Sequence, residues 1–108
     1  MKLMENSNGH YIISERKYNE GELIKKLSGK VLDAPTRYSI EVGDNLHIID
    51  EIGQYMNHSF EPNCLILGQE IIALNDIDTG EELTFNYNET ETKIAYPFID
   101  IDTGIKVE

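Results

Sequence analysis

A mostly β domain of short antiparallel strands is predicted, on three observations. Apolar residues recur at every second position over stretches of three to five, Gly, Asn and Asp separate the stretches, and almost nowhere does a helical period take over. The first strand read this way covers residues 11–13 and is entered from Gly9, and a second, 23–27, follows the Asn19-Glu20-Gly21 turn. The clearest hairpin runs over 37–49: Tyr38, Ile40 and Val42 share one face, Gly43-Asp44-Asn45 turns the chain, and Leu46 and Ile48 return. Another joins 64–67 to 70–74 through Gly68-Gln69. Residues 76–80 form a loop, after which Leu83, Phe85 and Tyr87 alternate with polar residues. A helical turn is expected only over 50–56. The tail repeats the pattern, with 98–101, a turn at Asp102-Thr103-Gly104, and 105–107.

Composition sets the frame for these elements. The 108 residues carry 9 basic and 20 acidic side chains, a formal charge of −11 and a pI near 4.5. This length makes one domain, 1–108, which can bury roughly two-thirds of its unfolded surface without disulfide staples. A 40% hydrophobic fraction with 8 glycines and 3 prolines argues against disorder. Cys64 is the lone cysteine, which excludes an internal disulfide and a cysteine zinc cluster and points to an intracellular compartment, cytoplasmic or nuclear. The longest apolar runs, 64–67 and 71–74, are four residues each, and residues 1–9 lack a signal core, so no membrane association is expected. So negative a chain repels nucleic acid and acidic lipid, and it favours a Lys/Arg-rich partner.

Asp-Ile-Asp-Thr-Gly occurs twice, at 76–80 and 100–104. A calcium loop needs glycine at its sixth position and a bidentate Glu at its twelfth, and the twelfth residue counted from Asp76 is Tyr87. Both copies therefore read as Asp/Thr/Gly turns. His10 and His47 have no partners at metal or nucleophile spacing, and Cys64, inside an apolar strand, reads as a small buried hydrophobe.

Two strings carry the functional signal. Tyr55-Met56-Asn57-His58-Ser59-Phe60-Glu61-Pro62-Asn63-Cys64 is followed, after a β hairpin, by Gly80-Glu81-Glu82-Leu83-Thr84-Phe85-Asn86-Tyr87. In content and order they resemble the two signature motifs of the SET-domain protein lysine methyltransferases. Weaker matches extend the resemblance: Gly9-His10-Tyr11 with Gly21-Glu22-Leu23-Ile24 is similar to the family's opening strand and Gly-Glu-x-Ile element, 38–50 to its central Tyr-containing hairpin, and Pro97-Phe98 to its closing segment. On this reading 9–87 is the domain core and 88–108 the closing tail. The implied fold is a β-clip-like arrangement with a C-terminal pseudoknot, in which the Asn57 segment tucks beneath a loop formed by the C-terminal strand.

The resemblance implies roles residue by residue. S-adenosylmethionine and the target lysine enter from opposite faces and meet in a narrow channel, and S-adenosylhomocysteine leaves as product. Asn57 and His58 hold the cofactor, Gly9, His10 and Tyr11 line its methionine end, and Tyr87 and Phe98 complete the cofactor-binding set. Tyr87 matches the tyrosine whose hydroxyl faces the transferring methyl, and Tyr38 an aromatic wall of the lysine channel. Phe85 matches the position that limits product size, where phenylalanine leaves room for two or three methyl groups. No metal takes part. A Lys-rich protein or peptide is the expected substrate, with no direct nucleic-acid or membrane binding. A homodimer is expected as well, because a minimal domain leaves strand edges uncovered.

Three departures from the family pattern support a second reading. Tyr11 stands where the family has a second glycine, Asn86 where aspartate is usual, and the tail lacks the cysteines that hold zinc in many members. The alternative is a catalytically silent acidic module that binds a basic protein partner.

Overall fold

The computed structural model describes residues 1–7, 9–36, 38–43, 46–90, 98–99 and 103–107. Within them the chain forms five small sheets, and all strand pairs but one are antiparallel. An N-terminal hairpin pairs β1 (Lys2–Asn6) with β2 (Gly9–Ile13). One three-stranded sheet sets β9 (Glu70–Ala73) between β3 (Leu23–Lys26) and β8 (Cys64–Leu67). The other sets β6 (Leu46–Asp50) between β4 (Gly29–Leu32) and β5 (Ile40–Gly43). A 3-10 turn, Gly53–Tyr55, leads into β7 (Asn57–His58), which pairs in parallel with β10 (Thr84–Phe85). A single helical turn, α1 (Tyr87–Thr90), follows, and β11 (Phe98–Ile99) pairs with β12 (Lys106–Val107).

Alternation explains the sheets. In β8 and β9 the paired Cys64 and Ala73 are buried, as is Ile71, and they join Ile12, Leu27, Met56, Ile77, Leu83 and Phe85 in the main core. The opposite face carries Leu65 and Ile72, which are only partly covered. Both predicted hairpins form, as does the helical turn before Asn57, and the tail pairs on itself as expected. The expected turn residues Asp44, Asn45 and Asp102 lie outside the described residues, as do Arg37, Pro97 and Ile101.

Several sequence expectations need correction. β1 and β4 were not legible: both are largely exposed, so neither displays an apolar face, and each exists because a neighbour offers a ladder. β4 depends on Gly29, whose φ of +148° and close approach leave no room for a side chain; a Cβ there would sit 2.1 Å from the Ile49 carbonyl oxygen. Tyr38 precedes β5 instead of sharing its face and is 50% exposed. The 83–87 strand shortens to two residues, because Asn86 turns the chain: its Oδ1 accepts from the Asn88 N–H at 2.9 Å and its carbonyl from the Glu89 N–H at 3.1 Å. Asn and Asp cap helical turns about equally well, so the departure at Asn86 leaves this turn intact. β7 and β10 pair in parallel; the expected pseudoknot also calls on the tail, of which 91–97 and 100–102 lie outside the described residues.

Candidate active site

Three separated segments converge on β7. The backbone of β2 continues the sheet onto residues 80–83: Leu83 N–H donates to the Ile12 carbonyl (2.8 Å), Ser14 N–H to that of Glu81 (2.9 Å), and Gly80 N–H to that of Ser14 (2.8 Å). This sets Glu82 opposite Ile13. The Asn63 carboxamide then pins the start of β10, since Nδ2 donates to the Glu82 carbonyl at 2.8 Å and Oδ1 accepts from Thr84 N–H at 3.0 Å. Ser59 N–H donates to the Phe85 carbonyl at 3.1 Å. Asn57 and Tyr87, 30 positions apart in the chain, thereby become spatial neighbours.

Successive residues of a strand point to opposite faces, and β7 uses both. On one side Asn57 joins Asn6, Gly9, His10, Tyr11 and Glu82 around an open pocket of about 300 Å³. Its Nδ2 donates to the His10 carbonyl at 3.2 Å and to Glu82 Oε2 at 3.0 Å. On the other side His58 meets an aromatic group, with ring centroids 5.2 Å from Tyr87 and 4.4 Å from Phe60, while Phe85 lies 4.8 Å from Tyr87. His58 Nδ1 accepts the Tyr87 backbone N–H at 3.1 Å, so in the neutral ring the proton is on Nε2. The Tyr87 hydroxyl donates to the Met56 carbonyl at 2.6 Å, which commits its single proton and fixes its direction.

What holds β7 in place is Asp50, 1% exposed at the end of β6. Its Oδ2 accepts from Lys25 Nζ and Ser28 N–H, both at 2.8 Å, and its Oδ1 from Ile52 N–H (2.8 Å) and Gly53 N–H (2.7 Å). Burial pushes this carboxyl pKa up, but the Gly53 N–H, the Lys25 ammonium and the Ser28 and Ile52 amides together outweigh it and hold the group below the ordinary carboxylate value. The turn that delivers Met56 and Asn57 is thus tied through one side chain to β3, by Lys25, and to the β3–β4 link, by Ser28.

Of the residues singled out in the sequence, Gly9, His10, Tyr11 and Asn57 come together at the pocket, and His58, Phe85 and Tyr87 on the other side of β7. Tyr38 does not join them: α1 lies against β5, yet no ring contact links Tyr38 to Phe85 or Tyr87 among the described residues. Phe98 is in β11, and its side chain lies outside the described residues. The sequence reading assigns no role to Asn6, Glu82, Asn63 or Asp50. Asn63 and Glu82 sit inside the two motif strings, which is itself a signal, whereas nothing in the sequence marks Asn6, since β1 shows no apolar face.

A sequence profile of the SET domain matches residues 3–88. The chain belongs to the SET-domain family. It is 44% identical over 45 residues to the Aspergillus oryzae "histone-lysine N-methyltransferase, H3 lysine-36 specific", a match covering 34% of this chain and 5% of that protein. Two solved structures share the fold. A humanized mutant of the Chaetomium thermophilum Polycomb Repressive Complex 2 bound to an inhibitor superposes with a TM-score of 0.65 at 17% identity, over 98% of this chain and 18% of that one. ctPRC2 in an autoinhibited conformation bound to S-adenosylmethionine also gives 0.65, at 16% identity, over 94% of this chain and 18% of that one. This SET domain therefore corresponds to a small part of those proteins.

The chemical capacities of the two sides of β7 differ. The pocket side is polar and open, whereas the Tyr87 side offers neutral rings around one oriented hydroxyl. Cys64 is closed to nucleophilic chemistry, because burial pushes its thiol up to about 12. No group of three or more His, Cys, Asp or Glu at metal-binding distance occurs among the described residues. No helix among them is long and apolar enough to cross a membrane.

Proposed function

We propose that this SET domain is an S-adenosylmethionine-dependent protein lysine N-methyltransferase whose cofactor occupies the Asn57 pocket and whose target lysine reaches Tyr87 from the other side of β7. The observation that carries this reading is the two-faced strand: Asn57 opens onto a pocket while His58 and the neighbouring Tyr87 form an aromatic cluster. Asn57, Gly9 and Tyr11 would hold the amino-acid end of the cofactor, and the unspent Oδ1 of Asn57 is an acceptor suited to an ammonium. When bound, the cofactor supplies a methyl group on a sulfonium leaving group, so the chain's task is alignment.

The residues on the Tyr87 side fit the needs of the nucleophile. Only neutral lysine attacks, and at pH 7.4 deprotonating an ordinary lysine costs about 4 kcal/mol. Neutral aromatic walls such as Phe85 and Tyr87 disfavour the ammonium form and lower that cost. Because the Tyr87 proton is given to Met56, its oxygen can meet a polarised C–H only as an acceptor. It orients without adding charge. Phe85 is buried and brings no hydroxyl to the channel, which supports products beyond monomethyl-lysine. The −11 charge favours a basic, lysine-bearing segment as substrate, and histone tails are the first to test.

The experiment is a thermal-shift titration followed by methyl transfer to an array of lysine peptides read by mass spectrometry. S-adenosylhomocysteine at 100 times its Kd stabilises the fold by about 2.7 kcal/mol, and transfer accelerates above pH 8. No shift with either cofactor form and no labelled peptide would leave the silent acidic module as the better reading.

A further inference from the structure

Asn57 and Glu82 form an edge of the pocket that can accept but not donate. The Asn57 nitrogen is turned toward two acceptors, the His10 carbonyl at 3.2 Å and Glu82 Oε2 at 3.0 Å, so both of its hydrogens are committed within the protein and only Oδ1 is left to face a ligand. Glu82 is a carboxylate and accepts only. Of the residues around the pocket it alone carries a carboxylate. Its side chain is exposed, its backbone is held by Ile13 and Asn63, and it pairs with no lysine or arginine among the described residues. His10, which also lines the pocket, lies 3.6 Å from Glu5. The edge therefore sets one unbalanced negative charge beside an uncommitted amide oxygen, and the group that complements both is a compact cation with several N–H donors.

We propose that Glu82 and the Asn57 amide oxygen together receive the α-ammonium of the cofactor's amino-acid end. The proposal rests on the methyltransferase reading above and adds Glu82 to it. Asn57 alone offers the ammonium one neutral acceptor, whereas the Glu82 carboxylate adds a charge-assisted bond, the stronger kind. The same charge repels the ligand's own carboxylate, so it selects which of the two charged groups lies at this edge. S-adenosylmethionine and S-adenosylhomocysteine share that amino-acid end, and Glu82 serves both equally. What it discriminates against is an adenosine thioether without the amino group. Glu82 binds and selects, and takes no part in methyl transfer. At a solvated edge the gain is modest, about fivefold in affinity, and salt screens it.

Calorimetric titration of the full chain tests this with three ligands: S-adenosylhomocysteine and its analogues in which hydrogen replaces either the α-amino group or the α-carboxylate. Each is titrated into the parent and into Glu82→Gln, where glutamine keeps an acceptor for the Asn57 nitrogen and removes only the charge. Glu82→Gln is expected to weaken S-adenosylhomocysteine and the analogue that keeps the ammonium about fivefold each, and to change the analogue without it less than about twofold. On the parent alone, raising salt from about 50 to about 500 mM should weaken the ammonium-bearing analogue and leave the deaminated one no weaker. A merely structural role for Glu82 would weaken all three alike. That result, or an ammonium-bearing analogue indifferent to both the substitution and the salt, would overturn the inference and leave the cofactor site standing. A parent protein that binds none of the three would overturn both.

Discussion

Asp50 and Glu82 each set a carboxylate against at least one donor from a distant stretch of the chain, and they differ in how much of that carboxylate is left unused. Asp50 is buried, accepts four hydrogen bonds, one of them from the Lys25 ammonium, and offers nothing further. Glu82 is exposed, accepts one bond from Asn57, and faces a pocket with its charge unbalanced. A saturated polar cluster holds a fold, because every bond it can make is already part of the native state. An unsaturated one can bind. Their positions before and beside β7 join the two, since the first fixes the turn from which the second receives Asn57.

The sharpest way to break the comparison is Asp50→Ala. It leaves Lys25 and three backbone N–H groups without their partner and should cost about 3 kcal/mol or more, lowering Tm by over 10 °C at the roughly 4–8 °C per kcal/mol typical of this size. A loss under about 1 kcal/mol in urea titration would show that the cluster is not saturated in solution. The same group sets an acid limit. Its folded pKa lies below the ordinary value, so its contribution is complete above about pH 4 and fades as pH falls through the folded pKa. The urea midpoint of the parent should therefore drop more steeply below pH 4 than that of Asp50→Asn.

Next in size is Tyr87→Phe, expected to lower methyl-transfer turnover by about 10²-fold while costing only about 1 kcal/mol of stability, the net value of one neutral hydrogen bond. Unchanged turnover would remove the hydroxyl from the reaction. Phe85→Tyr sharpens the contrast between rings that wall a channel and rings that fill a core. It should move the product distribution toward monomethyl-lysine by mass spectrometry; an unaltered distribution would make Phe85 core alone. The smallest effect expected is at Cys64. With its thiol pushed up to about 12 and buried, it should resist alkylation at pH 8 in the folded protein and react once urea unfolds it.

Much of this is legible in the residue order alone. The two strings around Asn57 and Tyr87 announced the family, and the alternation in 64–67 and 70–74 announced a hairpin, because period-two burial is written directly into the residue order. The short strands β1 and β4 were not legible, since exposed strands carry no apolar signature and are made by pairing partners. Tyr38 read as an inward strand residue because its spacing to Ile40 is two, yet Ser39 ties back to Thr36, with Ser39 Oγ donating to the Thr36 carbonyl at 3.2 Å, and β5 begins only at Ile40.

By itself the sequence determined the family, the β character and the residue types on either side of Asn57, because these depend on local spacing and composition. Only the tertiary structure decided that Glu82 faces the Asn57 pocket, that the Tyr87 proton goes to Met56, and that the Asp50 carboxylate reaches Lys25 in β3 and Ser28 beyond it. Each of those contacts joins residues at least 22 positions apart along the chain. Hydrogen bonds over such separations are set by how the sheets pack, and no local pattern encodes them.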